Sequence, residues 1–154
     1  RGLPVPDGSC TAAYCSHVLE HLALEDFRTA LRNTLSVLRP GGIFRFVVPN
    51  LEQLARDYLD NRNQDAASRF FEDAHLGLKR RPRGPLGLAK AWLGNSKHLW
   101  MWDYKGLAAE LAVAGFAEIR RAEIGDATDP LFKLVEDQSR WDRLAVGLEC
   151  RRSN

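Results

Sequence analysis

Three residues of the run CSHVLEHL, His17, Glu20 and His21, have the types and the spacing that site chemistry uses. Read as H-x-x-E-H they spell the inverted zinc-protease motif, in which two histidines on one helical face ligate the ion and a further ligand comes from elsewhere. Here the first histidine falls where a strand is expected to end, and Cys15 is the neighbour that could be enlisted as another ligand. A second concentration is His98, Trp100, Met101, Trp102 and Asp103. Its indoles offer flat apolar contact and an N–H donor, which suits either a lid over a site or anchors that pin the segment to a core. A third feature is basic: Lys79, Arg80, Arg81, Arg83, Lys90 and Lys97 lie between Ala74 and Trp102 with no acidic residue among them. Such a face can attract a phosphorylated or nucleotide-linked sugar, an acidic lipid surface or RNA. Aromatic interleaving for base stacking is absent between Lys79 and Ala91, so a solvated loop is the expectation.

The elements that must position these residues can be read from pattern. Leu3 to Gly8, with Pro4, Pro6 and Asp7-Gly8, is a loop. Cys10 to Cys15 is small and apolar and suits a parallel strand. Phe27, Leu31, Leu35 and Leu38 share one face of a helix over Leu24 to Leu38, which Arg39-Pro40-Gly41-Gly42 should stop. Ile43 to Val48 is the next strand, completing a βαβ unit. Leu51 to Leu59 continues as a helix, Ala66 to Leu78 suits another, and Lys79 to Gly87 is a loop. Asp103 should cap a helix from Tyr104 to Ala114 that Gly115 ends. Phe116 to Ile124 and Arg143 to Arg151 read as a closing antiparallel pair around a polar, turn-rich stretch from Gly125 to Asp142.

The totals bound the class. At 154 residues the chain is one domain in length, with a helical and basic insertion at about 51–102. A composition 45% hydrophobic and 27% charged is that of a globular protein, and a net charge of +2 is too small to argue for nucleic acid. No apolar run reaches the roughly 18 residues of a membrane span. Cys10, Cys15 and Cys150 are an odd count without a disulfide-framework spacing, so reduced thiols in a cytoplasmic protein are expected.

LPVPDGS, CSHVLEHL, LSVLRPGG, FRFVVPN and HLWMWDYKGLAAELAVAGF, in that order, resemble the second half of a class I S-adenosylmethionine-dependent methyltransferase, close to the methyltransferase type 11 group that acts on small molecules or glycan-linked acceptors. The resemblance covers most of the chain outside Leu51 to Lys97. It implies a Rossmann-like α/β sheet of which this chain holds strands four to seven, in the family order 3-2-1-4-5-7-6 with the last strand antiparallel. It also implies that the glycine-rich loop and the ribose-binding acidic residue lie upstream of Arg1, since no G-x-G-x-x-G occurs here. The strand at Cys10 to Cys15 would then be an open edge, able to pair with more of the same polypeptide or with a second copy in a homodimer.

The resemblance assigns S-adenosylmethionine as cofactor and puts Leu3, Ser16, His17, Val18 and His21 around it, with His17 also the candidate general base. A histidine titrates near neutral pH and can accept the proton of an attacking hydroxyl or amine. Asn50, His98, Trp100 and Trp102 are the expected substrate and lid residues. It explains the H-x-x-E-H run without metal, and no metal is expected. The function implied is methyl transfer to O or N of a small-molecule or glycan-linked acceptor, with this stretch inactive alone. A non-catalytic methyltransferase-like assembly module is the alternative, and an RNA methyltransferase a weaker one.

Overall fold

The computed structural model describes residues 4–77, 79, 83–86 and 97–153. Leu3, Arg80, Arg81, Pro82, Gly87 and Lys90 lie outside the described residues, so the expected Lys79 to Gly87 loop is described only in part. Strands β1 (Cys10–Ser16), β2 (Leu38–Pro49), β3 (Phe116–Ala122) and β4 (Ala145–Arg152) alternate with helices α1 (Leu24–Val37), α2 (Leu51–Asp60), α3 (Ala66–Asp73) and α4 (Tyr104–Ala114). The sheet runs β1-β2-β4-β3, with β1 and β2 parallel and β4 antiparallel to both of its neighbours. That is the order 4-5-7-6 implied by the resemblance, and it leaves β1 as an outer strand.

Two boundaries differ from the sequence reading for physical reasons. Leu38 belongs to β2 rather than to the helix, paired with Cys10, and the ladder resumes only at Ala12 and Ile43. Arg39-Pro40-Gly41-Gly42 is therefore an excursion inside the strand. Gly41 takes a left-handed φ of 72°, and a Cβ on Gly42 would stand 2.8 Å from the Arg39 carbonyl oxygen, so both glycines are required there. The helix expected to reach Leu78 ends at Asp73.

The alternation along β2 divides its side chains between two faces. Phe44, Phe46 and Val48 meet Phe27 and Leu31 of α1, Leu107 and Leu111 of α4, and Leu148 of β4 in one core. On the opposite face stands Arg45, fully buried under the stretch between β3 and β4. The ends of the core helices are satisfied as the residue types suggest. Asp103 Oδ1 accepts from Gly106 N at 2.7 Å, and Gly115 leaves α4 with φ 103°. Arg152 from β4 donates to the carbonyls of Leu35, Ser36 and Leu38 where α1 gives way to β2, a cation placed at the negative end of the helix.

Candidate functional site

Where β1 ends the chain turns sharply. His17 N extends the parallel ladder by donating to the Val47 carbonyl at 2.9 Å, yet His17 itself has a left-handed φ of 51°. That conformation costs a non-glycine residue about 1–2 kcal/mol, so its surroundings must hold it. Leu19–His21 form a single 3-10 turn, closed by His21 N donating to Val18 O at 3.0 Å. Leu19 is anchored in the core, and Glu20 goes in with it, 1% exposed. The segment leading to α4 lies across this turn: Leu99 N and Trp100 N both donate to the Glu20 carbonyl, at 2.7 and 3.2 Å. These bonds bring His98 over the same carboxylate.

His17 Nδ1 stands 3.4 Å from Glu20 Oε1, His21 Nε2 3.9 Å and His98 Nε2 4.0 Å. The opposite nitrogens of two rings are already committed, His17 Nε2 to the Arg140 carbonyl and His21 Nδ1 to the Lys97 carbonyl, each at 2.9 Å. A carbonyl only accepts, so these nitrogens carry the proton and the ones facing Glu20 are the lone-pair nitrogens of the neutral rings. Both Glu20 oxygens and His98 Nδ1 are buried with no hydrogen-bond partner among the described residues. The facing Glu20 carboxylate holds the His17 imidazole above its ordinary pKa, against burial. His98 is pushed down by burial, with Glu20 opposing and the neighbouring His75 and His21 adding to the fall. Burial and the Glu20 charge push the Cys15 thiol up to about 11, and Cys15 does not belong to the group of ligand atoms that converge on Glu20.

These groups open onto a cleft of about 590 Å³, lined also by Pro49, Leu54, Glu72, Lys79 and Arg140. It lies just past the carboxyl ends of β1 and β2, where open parallel sheets bind ligands. His17, His21 and His98 of the expected site residues meet here, joined by Glu20 and by His75, whose ring centroid is 4.9 Å from that of His98. Ser16, Val18, Asn50, Trp100 and Trp102 do not line the cleft. Asn50 instead caps α2, its Oδ1 accepting from Glu52 N at 3.1 Å. Trp100 is 43% exposed. Trp102 is corrected from lid to core: it is 5% exposed, and its ring centroid is 4.3 Å from that of Phe27. Glu20 as the centre of the cluster, and His75, are what the sequence reading missed. The signal available was that the chain has only four histidines, and all four line this cleft.

Residues 1–46, under a third of the chain, match the family model described as a methyltransferase domain. No curated protein sequence matches the chain. Among solved structures, the chain is similar to a complex between the Haloferax volcanii Trm112 methyltransferase activator and a methyltransferase, with 14% identity, 99% of this chain and 58% of that chain covered, and a TM-score of 0.53. It is similar to human N-acetylserotonin methyltransferase in complex with SAM at 14% identity, covering 97% of this chain and 31% of that one, with a TM-score of 0.51. PigF with SAH gives 15% identity, 96% and 32% coverage and a TM-score of 0.50. The chain thus spans between 31% and 58% of the length of these proteins. At such identities the likeness speaks for the fold. Together with the strand order and the match over residues 1–46, it makes this the fold of the class I S-adenosylmethionine-dependent methyltransferases, over the part that holds strands four to seven.

Proposed function

We propose that this chain is part of an S-adenosylmethionine-dependent methyltransferase that acts on an oxygen or nitrogen of a small-molecule or glycan-linked acceptor. The observation that carries the reading is the cleft beyond the carboxyl ends of β1 and β2, with His17 held in a left-handed conformation at its lip. S-adenosylmethionine, when bound, supplies a methyl group on a positively charged sulfur. The residues present fit one wall of its site: Ser16, His17 and Val18 sit at the end of the outer strand, open on the side away from β2. His21 stands one turn further along the same rim.

His17 Nδ1 is the proton acceptor in this reading, because Nε2 is committed to the Arg140 carbonyl and Nδ1 faces inward. Calorimetric titration of S-adenosylhomocysteine tests the proposal, using this chain and the same chain extended upstream to include a glycine-rich first loop. Binding by the extended chain alone is expected. Tight binding by the 154 residues alone would overturn the one-wall reading, and no binding by either would overturn the methyltransferase reading.

A further inference from the structure

We infer that Glu20, His21 and His98 form a binding site for one divalent first-row transition ion at the floor of the cleft. Their ligand atoms all lie within 4.8 Å of one another. The donors of a tetrahedral zinc site stand about 3.3 Å apart, given metal–ligand bonds of about 2.0–2.1 Å. The 3.9 and 4.0 Å now separating the two imidazole nitrogens from Glu20 Oε1 therefore need to close by about 0.6–0.7 Å, within the reach of side-chain rotations.

The stronger argument is what the cluster lacks. A carboxylate 1% exposed, with neither oxygen hydrogen-bonded among the described residues, is surrounded by ring nitrogens that are lone pairs in the neutral state. Buried negative charge facing lone pairs is costly without a cation between them. One divalent ion satisfies the carboxylate and two lone pairs together.

One of the two histidine ligands also has the outer hydrogen bond that orients a metal-binding imidazole. His21 donates its Nδ1–H to a backbone carbonyl, fixing the tautomer that presents Nε2 to the site. His17 is fixed in the same way and stands beside the cluster at the lip of the cleft. Two imidazoles and one carboxylate select a transition ion over the hard, oxygen-seeking Mg²⁺ or Ca²⁺. The ion would clamp the turn after β1 to the segment before α4, joining residues 77 positions apart in the chain. With three protein ligands, a further coordination position is left for a small ligand. That an acceptor oxygen takes this position rests on the methyltransferase reading; the ion site does not.

The test uses the chain stripped with a chelator and titrated calorimetrically with Zn²⁺, Mn²⁺ and Mg²⁺ in the absence of cofactor. One equivalent of Zn²⁺ is expected, with Mn²⁺ weaker and Mg²⁺ not measurable. Glu20→Gln and His98→Gln should each weaken Zn²⁺ by more than the roughly 10–100-fold typical of outer hydrogen-bond partners, while Cys15→Ser stays within about 10-fold of the wild type. In the wild-type chain, Zn²⁺ should move the ring-nitrogen resonances of His21 and His98, a readout that does not depend on the variants folding. A folded chain that takes up no Zn²⁺, or that binds it without moving those resonances, would overturn the inference, as would a preference for Mg²⁺. No S-adenosylhomocysteine binding by the upstream-extended chain, with Zn²⁺ binding retained, would sink only the methyltransferase reading.

Discussion

Trp102 lies between Phe27 and the end of β2, bridged through its backbone to Asn50 and Leu51. Removing its indole leaves a cavity at the junction of α1, β2 and α4. Trp102→Ala should therefore cost about 3–5 kcal/mol of stability, read by urea denaturation. Trp100→Ala, at an exposed ring, should stay within about 0.5 kcal/mol of the wild type. Equal effects would return both indoles to a single role. At this scale the sequence was legible wherever a residue acts on its neighbours in the chain. The Asp103 cap and the Gly115 stop are local rules obeyed locally. Glu20 was not legible in the same way, because its environment comes from residues 75 and 98 as much as from 17 and 21. H-x-x-E-H read as a helical motif names Glu20 and His21, but sets His17 beside them and not His98. Glu20, His21 and His98 converge through a 3-10 turn and a crossing segment, and the spacing of 17, 20 and 21 does not encode the second of these.

Among the elements, the stretch from Gly125 to Asp142 departs most from its polar composition. It folds back over the sheet, and Arg45 fastens it there: Nε donates to Glu136 Oε1 at 2.6 Å, Nη1 to Asp126 Oδ1 at 2.9 Å and to Glu149 Oε2 at 3.1 Å, and Nη2 to the Glu123 carbonyl at 2.6 Å. Trp141 covers the guanidinium, 4.8 Å from its ring centroid, and lies on β4 where a Cβ on Gly147 would meet it at 2.1 Å. Gly147→Ala should lift that indole off the sheet and cost about 1–3 kcal/mol. Arg45→Met should cost about 3–5 kcal/mol, since it removes the only cation paired with the buried Glu136 side chain among the described residues, leaving it Gly125 N alone, while Glu149 falls back on Arg120 and Thr128. The acid side of the stability curve follows from the same network. Burial raises Glu149, but hydrogen bonds from Thr128 and Arg120 outweigh it and its pKa is lowered. Burial also raises Asp126, but hydrogen bonds led by that from Arg120 leave it lowered too. Groups lowered on folding stabilise fully above their unfolded pKa, near 4, and that contribution is lost as pH falls through the folded values. The urea midpoint should hold between pH 7 and about 5 and fall below about 4, less steeply in Glu149→Gln. An unchanged slope in that variant would remove Glu149 from the account. An arginine in the middle of a strand, and Phe132 and Trp141 in a polar loop, were the sequence signs of this packing. Nothing in the local pattern says that the loop returns to β2, so their burial together was not legible.

For the molecule as a whole, the decisive asymmetry is the outer strand. Both outer strands have one unpaired backbone edge, but β3 carries Glu118, Arg120 and Arg121, whereas β1 offers an edge with no charged residue. Beside that edge runs a shallow groove formed by Thr11, Ala12, Ala13, Tyr14, Leu131 and Val135, with Leu131 and Val135 exposed. An apolar, uncharged edge of seven residues is a template for another strand, and nothing on it supplies the lysine or proline that blunts such edges. Two occupants fit: further strands of the same polypeptide, which the class I order places next to this one, or β1 of a second copy. The chain of 154 residues should therefore associate as its concentration rises in sedimentation velocity. Thr11→Lys, at an exposed edge position, should shift it toward monomer without changing its thermal midpoint. Extending the chain upstream by the strands of the methyltransferase order should abolish association in the same way, because the edge is then occupied within the molecule. A wild-type chain that stays monomeric and folded at its highest soluble concentration would show that the edge is protected by the Leu131 to Val135 turn alone, and the need for a completing strand would fall with it.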